Sequence, residues 1–114
     1  MSVLSLYDAT KRRALSSRRT ARSIQPIVSA ILENGSGNGS LTVDFANMAA
    51  VTPSFFDELL RVIKDSVLPD STGGPVIDLI NTSEHQFARF RAVCRAHEMT
   101  TEEISPGHWR ISQA

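Results

Sequence analysis

Leu41, Val43 and Phe45 alternate with Thr42 and Asp44, a period of two that predicts a strand over residues 41–46 with one face buried. The period then lengthens. From Phe55 the apolar positions Leu59, Val62 and Ile63 recur at three and four, widened by Phe56 and Leu60, which predicts an amphipathic helix. Thr52 is placed to cap it and Pro53 to occupy its first position. Asp57, Glu58, Arg61, Lys64 and Asp65 fall on the side read as solvent-facing, and the two early acids suit the helix dipole.

The same two periods organise the rest of the chain. Val3–Tyr7 reads as a short first strand, and the polar, basic residues 8–16 as a loop. Ser17 caps a helix whose stripe is Ala21, Ile24, Val28 and Ile31, with Ile27 and Leu32 beside it. Pro26 removes one hydrogen-bond donor inside that pattern, so we expect either a kink there or a helix starting near Ser23 with Pro26 in its first turn; the kinked, longer helix is preferred. Residues 34–40 read as a loop, and Pro69–Pro75 as a turn. Val76–Ile80 is almost continuously apolar, as expected of a central parallel strand. Ser83 caps a third helix with Phe87, Phe90, Cys94 and His97 on one face, and His108–Ser112 alternates as a last strand, read as lying at an edge. The order β-α-β-α-β-α-β predicts one small α/β domain over residues 1–114, its sheet mainly parallel and covered by about three helices, with residues 1–16 a partly flexible basic segment.

Composition narrows the function. The chain has 114 residues, 41% of them apolar, enough for one packed core. Lys+Arg and Asp+Glu number 12 each, but Lys11, Arg12, Arg13, Arg18, Arg19 and Arg22 crowd the start. Such a run can meet nucleic acid, yet no aromatic side chains interleave it for base stacking. Nucleic-acid binding through this segment is therefore the alternative reading. Arg18 and Arg19 would oppose the dipole of a helix capped by Ser17, so something should compensate. Arg18 or Arg22 pairing with Asp57, Glu58 or Asp44 is one reading, a partner's carboxylate or phosphate a second, and plain solvation of the arginines a third.

Catalytic and cofactor motifs are missing. The glycines of 34–40 follow a helix rather than a strand, the wrong context for a phosphate loop. Asp57 and Glu58, adjacent on a helix, point about 100° apart and do not converge on one substrate. Cys94 and His97 give two ligands where a structural zinc needs four, so Cys94 reads as core. Trp109 reads as a packing residue. No enzyme, metal or cofactor is expected. Cys94 is the sole cysteine, Met1–Asp8 lacks the basic and apolar regions of a signal peptide, and no run is long enough to span a membrane. A cytoplasmic protein is expected, and small sheets of this kind can self-associate as homodimers through an edge.

The stretch Val43-Asp44-Phe45-Ala46-Asn47-Met48-Ala49-Ala50-Val51-Thr52-Pro53-Ser54-Phe55-Phe56-Asp57-Glu58-Leu59-Leu60 resembles the signature of a STAS-like bacterial family of unknown function, related to anti-sigma-factor antagonists. Ser17-Arg18-Arg19-Thr20-Ala21-Arg22 resembles that family's first helix, and Asn81 after the third strand also fits; the likeness covers roughly residues 15–97. It implies a regulatory protein-binding module, with a histidine-kinase-type ATPase as the partner by analogy. It also implies that Ser54, aligned with the antagonists' phosphorylated serine, is a candidate phosphorylation site, although Thr52-Pro53-Ser54-Phe55 stands where antagonists carry Asp-Ser-Ser-Gly. The partner surface expected on this basis comprises Thr52, Ser54, Phe55, Asp57 and Glu58, with Arg18 and Arg22 beside them.

Overall fold

Serine and threonine caps set helix starts in the computed structural model, which describes residues 3–34, 40–67 and 75–113. The hydroxyl of Ser17 accepts from the Thr20 amide, that of Thr52 from Phe55, and that of Ser83 from Gln86. Residues 35–39 and 68–74, which hold most of the expected loop over 34–40 and of the expected turn over Pro69–Pro75, lie outside the described residues.

In chain order the elements are β1 (Val3–Ser5), α1 (Leu6–Thr10), β2 (Ala14–Leu15), α2 (Arg18–Ser23), α3 (Gln25–Asn34), β3 (Ser40–Asp44), β4 (Ala50–Val51), α4 (Pro53–Ser66), β5 (Val76–Ile80), α5 (Glu84–Ala96), β6 (Met99–Ser105) and β7 (His108–Gln113). Five strands form one sheet in the order β1-β3-β5-β7-β6. β1, β3 and β5 run parallel, whereas β7 pairs antiparallel with both β5 and β6. β2 and β4 form a separate parallel pair.

The crossovers β1→β3→β5 step in one direction. Right-handed connections of that kind place their helices on one face of the sheet. Burial agrees: Leu41, Val43, Ile77 and Leu79 are buried, while their neighbours Thr42, Asp44, Val76, Asp78 and Ile80 are only half-buried. Helix α4 is the centre of the helical layer. It packs against α2, α3 and α5, and Phe55, Phe56, Leu59, Leu60, Val62 and Ile63 are all fully buried. Phe56 stacks on Phe90 of α5 with ring centroids 4.2 Å apart, and Phe45 meets the same ring at 5.9 Å. At the far side Trp109 stacks on Phe87 at 3.9 Å, with the Arg91 guanidinium 5.1 Å from the indole.

Several expectations need correction. The first strand stops at Ser5 because the Ser5 hydroxyl caps α1, so Tyr7 is helical. Residues 8–16 are not simply loop, since they hold the end of α1 and strand β2. The helix after Ser17 breaks at Ile24, and α3 restarts with Pro26 at its second position, where no donor is missed. The sheet is mixed and the helices number five among the described residues. β7 is not an edge: β6 lies outside it, joined through Pro106-Gly107, where Gly107 has φ +79°. Asp57 and Glu58 lie past the first turn of α4, and Glu58 is buried rather than solvent-facing. No helix among the described residues is long and apolar enough to cross a membrane.

Candidate functional site

The starts of α2 and α4 are tied together before either helix turns. The Thr52 amide donates to the Leu15 carbonyl at 2.9 Å, and the Thr52 hydroxyl to the Ser16 carbonyl at 3.2 Å. The two helices then run side by side in the same direction. On α2, Arg18 and Arg22 are four residues apart and so share a face. On α4, Asp57 and Glu58 receive them.

Arg18 bonds the Asp57 carboxylate through its terminal nitrogen and lies 3.6 Å from Glu58. Arg22 pairs with Glu58 at 2.7 Å and reaches Asp65 at 3.6 Å. Arg61, one turn on, comes within 3.6 Å of Asp57. His97, the residue that ends α5, brings its Nε2 to 2.5 Å from the other Asp57 oxygen. Its Nδ1 faces the Lys64 ammonium at 3.1 Å. An ammonium has no lone pair, so Lys64 donates to Nδ1; the ring proton is then on Nε2 and donates to Asp57. Eight side chains from three helices thus form one network: Arg18, Arg22, Asp57, Glu58, Arg61, Lys64, Asp65 and His97.

Burial graded across this network decides its character. The carboxylates lie innermost, with side chains 17% exposed at Asp57 and 11% at Glu58, whereas the arginine side chains remain about half exposed, 52% at Arg18 and 44% at Arg22. Burial alone would push the Asp57 carboxyl up. The hydrogen bonds from Arg18 and His97 and the charge of Arg61 outweigh it, and the group is held below the ordinary carboxylate range. Arg18, hydrogen-bonded to Asp57 and flanked by Glu58, is held above its usual value. Both oxygens of each acid are engaged by cations or by an imidazole N–H, so neither is free to take a proton from a substrate. A depression of about 440 Å³ opens beside the network, over Asp57, Arg61, Lys64 and His97.

Of the residues expected at a partner surface, Arg18, Arg22, Asp57 and Glu58 are brought together, bonded to one another. Asp44, the third candidate for the arginines, takes no part: its Oδ1 accepts from the Ala46 amide at 2.9 Å and from the Asn81 side chain at 2.7 Å. Thr52 is half-buried as the cap, and Ser54 is exposed in the first turn of α4. Phe55 is corrected: it is fully buried in the core and presents nothing outward. Arg61 and Lys64 fall on the outer side of their helix in the sequence pattern, which does not join them to a site. His97 was grouped with Cys94, whereas its partner stands 40 positions away in sequence. Burial pushes the Cys94 thiol up to about 12, which leaves it without the thiolate that nucleophilic or metal chemistry needs. Comparison with protein-family models, with curated proteins and with solved structures finds no match to this chain.

Proposed function

We propose that this chain is a STAS-like, non-enzymatic regulatory module that binds another protein, a histidine-kinase-type ATPase being the partner class the sequence resemblance suggests. The observation that carries the reading is the first turn of α4. Thr52 and Pro53 cap it, Phe55 and Phe56 anchor it in the core, and Ser54 alone among those residues is exposed. A rigid helix end with one outward hydroxyl suits a recognition surface whose affinity is set by the charge on that hydroxyl.

The ion network lies next to this turn and supports a regulatory role. Asp57 and Glu58 follow Ser54 by three and four residues, so all three share a face of α4. A phosphate on Ser54 would add about −1.5 to −2 charges beside two carboxylates already committed to Arg18 and Arg22. It would repel the carboxylates and draw on the half-exposed arginines, so modification would rearrange the α2–α4 contact as well as alter the surface. The nucleic-acid alternative has less behind it. Lys11 is 3.8 Å from Asp8, and Arg13 donates to the Asn47 carbonyl at 3.4 Å, so two of its three basic residues are engaged within the chain.

The test uses purified chain and a candidate ATPase of that class, with MgATP. Calorimetry should record binding for wild type and Ser54→Ala and at least tenfold weaker binding for Ser54→Glu, a difference of about 1.4 kcal/mol. Mass spectrometry should place any phosphate on Ser54. Equal affinities for wild type and Ser54→Glu would remove α4 from the interface. Robust turnover of a substrate without any partner would replace the whole reading.

A further inference from the structure

A second depression, of about 460 Å³, lies outside the carboxyl ends of β3 and β5. The volume falls within the range of small-molecule sites. Its floor includes Met48 and Val51; its wall is the face of α5 carrying His85, Gln86 and Arg89. His85 and Arg89 are four residues apart, and Gln86 and Arg89 three, so all three side chains lie along one stripe of the helix. Among the described residues none of these side chains has a hydrogen bond or ion pair within the chain, in contrast to the fully engaged cations of the α2–α4 network. Among the described residues no carboxylate lines the depression. Asp44 stands one hydrogen bond behind the lining, its Oδ1 taken by the Asn81 side chain and the Ala46 amide, and Glu84 lies about 100° around the helix from His85. The two loops that border it are held in fixed geometry by residues in the left-handed region, Asn47 at φ +68° and Asn81 at φ +60°.

We infer that this depression binds a small anion-bearing molecule, its phosphate or carboxylate group held by Arg89, His85 and Gln86 and its less polar part resting on Met48 and Val51. The guanidinium fork matches either oxyanion, an imidazole N–H and a carboxamide can each donate one further bond, and there is no acid in the lining to repel the charge. The inference uses none of the ion pairs between α2 and α4, although Thr52, the cap of α4 in the proposed partner surface, also lines the depression.

The test is a titration of the full chain with sodium pyrophosphate and, separately, with citrate at constant ionic strength, followed by amide nitrogen–proton NMR. Saturable shifts confined to residues 47–52 and 81–89, with a dissociation constant near or below roughly 1 mM, are expected for at least one probe; which probe binds separates phosphate from carboxylate chemistry. Arg89→Gln should weaken binding by about tenfold or more, and Ala49→Glu, which adds a carboxylate while leaving every cation in place, should abolish it. Both positions are exposed, so each variant should keep the wild-type melting temperature; should one not fold, the other decides. Absence of saturable shifts, or shifts that persist unchanged in the folded variants, overturns the inference. So does a response centred on Lys11–Arg13 that a single-stranded oligonucleotide reproduces more tightly than either small anion.

Discussion

Glu58 offers the most direct measurement of what the helix–helix ion network does. Its carboxylate is buried and receives Arg22 at 2.7 Å and Arg18 at 3.6 Å. Removing one partner from a fully buried ion pair costs about 3–5 kcal/mol, mostly because the remaining charge is stranded. Here the stranded charges would be arginines whose side chains are 52% and 44% exposed, so water takes over part of their solvation. The expected loss for Glu58→Ala is therefore nearer the surface limit, about 1–2 kcal/mol. A chain of this length unfolds with an entropy of about 240 cal/mol/K, so the melting temperature should fall by about 4–8 °C. The assay is thermal or urea unfolding of Glu58→Ala, Arg22→Ala and the double variant. Pairing requires that the second substitution cost less once the first is made, by about 0.5–1 kcal/mol. In 1 M salt, where the screening length is about 3 Å, that coupling should shrink. Losses that add to within about 0.3 kcal/mol would refute the pairing, however short the distances.

Other consequences can be checked in the same unfolding experiments. The Asp57 carboxyl is held below its ordinary value of 3.8, so its contribution to stability is complete above that pH and is lost as the pH falls through the lower folded value; Asp57→Asn should flatten the stability curve between roughly pH 4 and pH 2, and an unchanged acid limb would contradict the assignment. Phe56→Ala removes a fully buried ring stacked on Phe90 and should cost about 3–5 kcal/mol; a loss under about 1 kcal/mol would mean that the centre of the helical layer is misplaced. Gly107→Ala would put a Cβ 3.2 Å from the Thr82 carbonyl at φ +79°, and a drop of about 1–2 kcal/mol is expected. Cys94, buried and with its thiol pushed up to about 12, should resist a thiol reagent in the native state and react once the chain is unfolded; rapid native labelling would place it at the surface.

What could be read before the structure is explained by range along the chain. Caps are local: Ser17, Thr52 and Ser83 each satisfy an amide three residues ahead, and the sequence carries that spacing on its face. The strands around Val43 and Leu79 are central enough for burial to impose a pattern. β6 is different. As an edge strand it has one neighbour and little burial, so Met99-Thr100-Thr101-Glu102-Glu103-Ile104-Ser105 shows no alternation, and its two glutamates discourage further pairing. The signal that would have found it was Pro106-Gly107 between two β-compatible runs. The arginine–carboxylate clasp was partly legible, because cations at a helix start demand compensation. The role of His97 was not legible, since nothing in its neighbourhood along the chain points to Asp57.

The burial of Glu58 follows from the part α4 plays. A helix covered by sheet on one side and by α2, α3 and α5 on the others has room for only a narrow outward strip, and a stripe widened by Phe56 and Leu60 already consumes most of its circumference. Glu58 falls at the margin of that strip, where an unpaired carboxylate would be costly. Arg22 and Arg18 make the position tolerable, and in return the carboxylates offset Arg18, a cation that the start of α2 disfavours. Each helix therefore supplies the charges the other requires, which makes the α2–α4 orientation depend on this pairing as well as on apolar packing. A modification or partner at Ser54 that competes for those arginines would act on that orientation directly, whereas the same event on a helix fixed by apolar contacts alone would change only its surface.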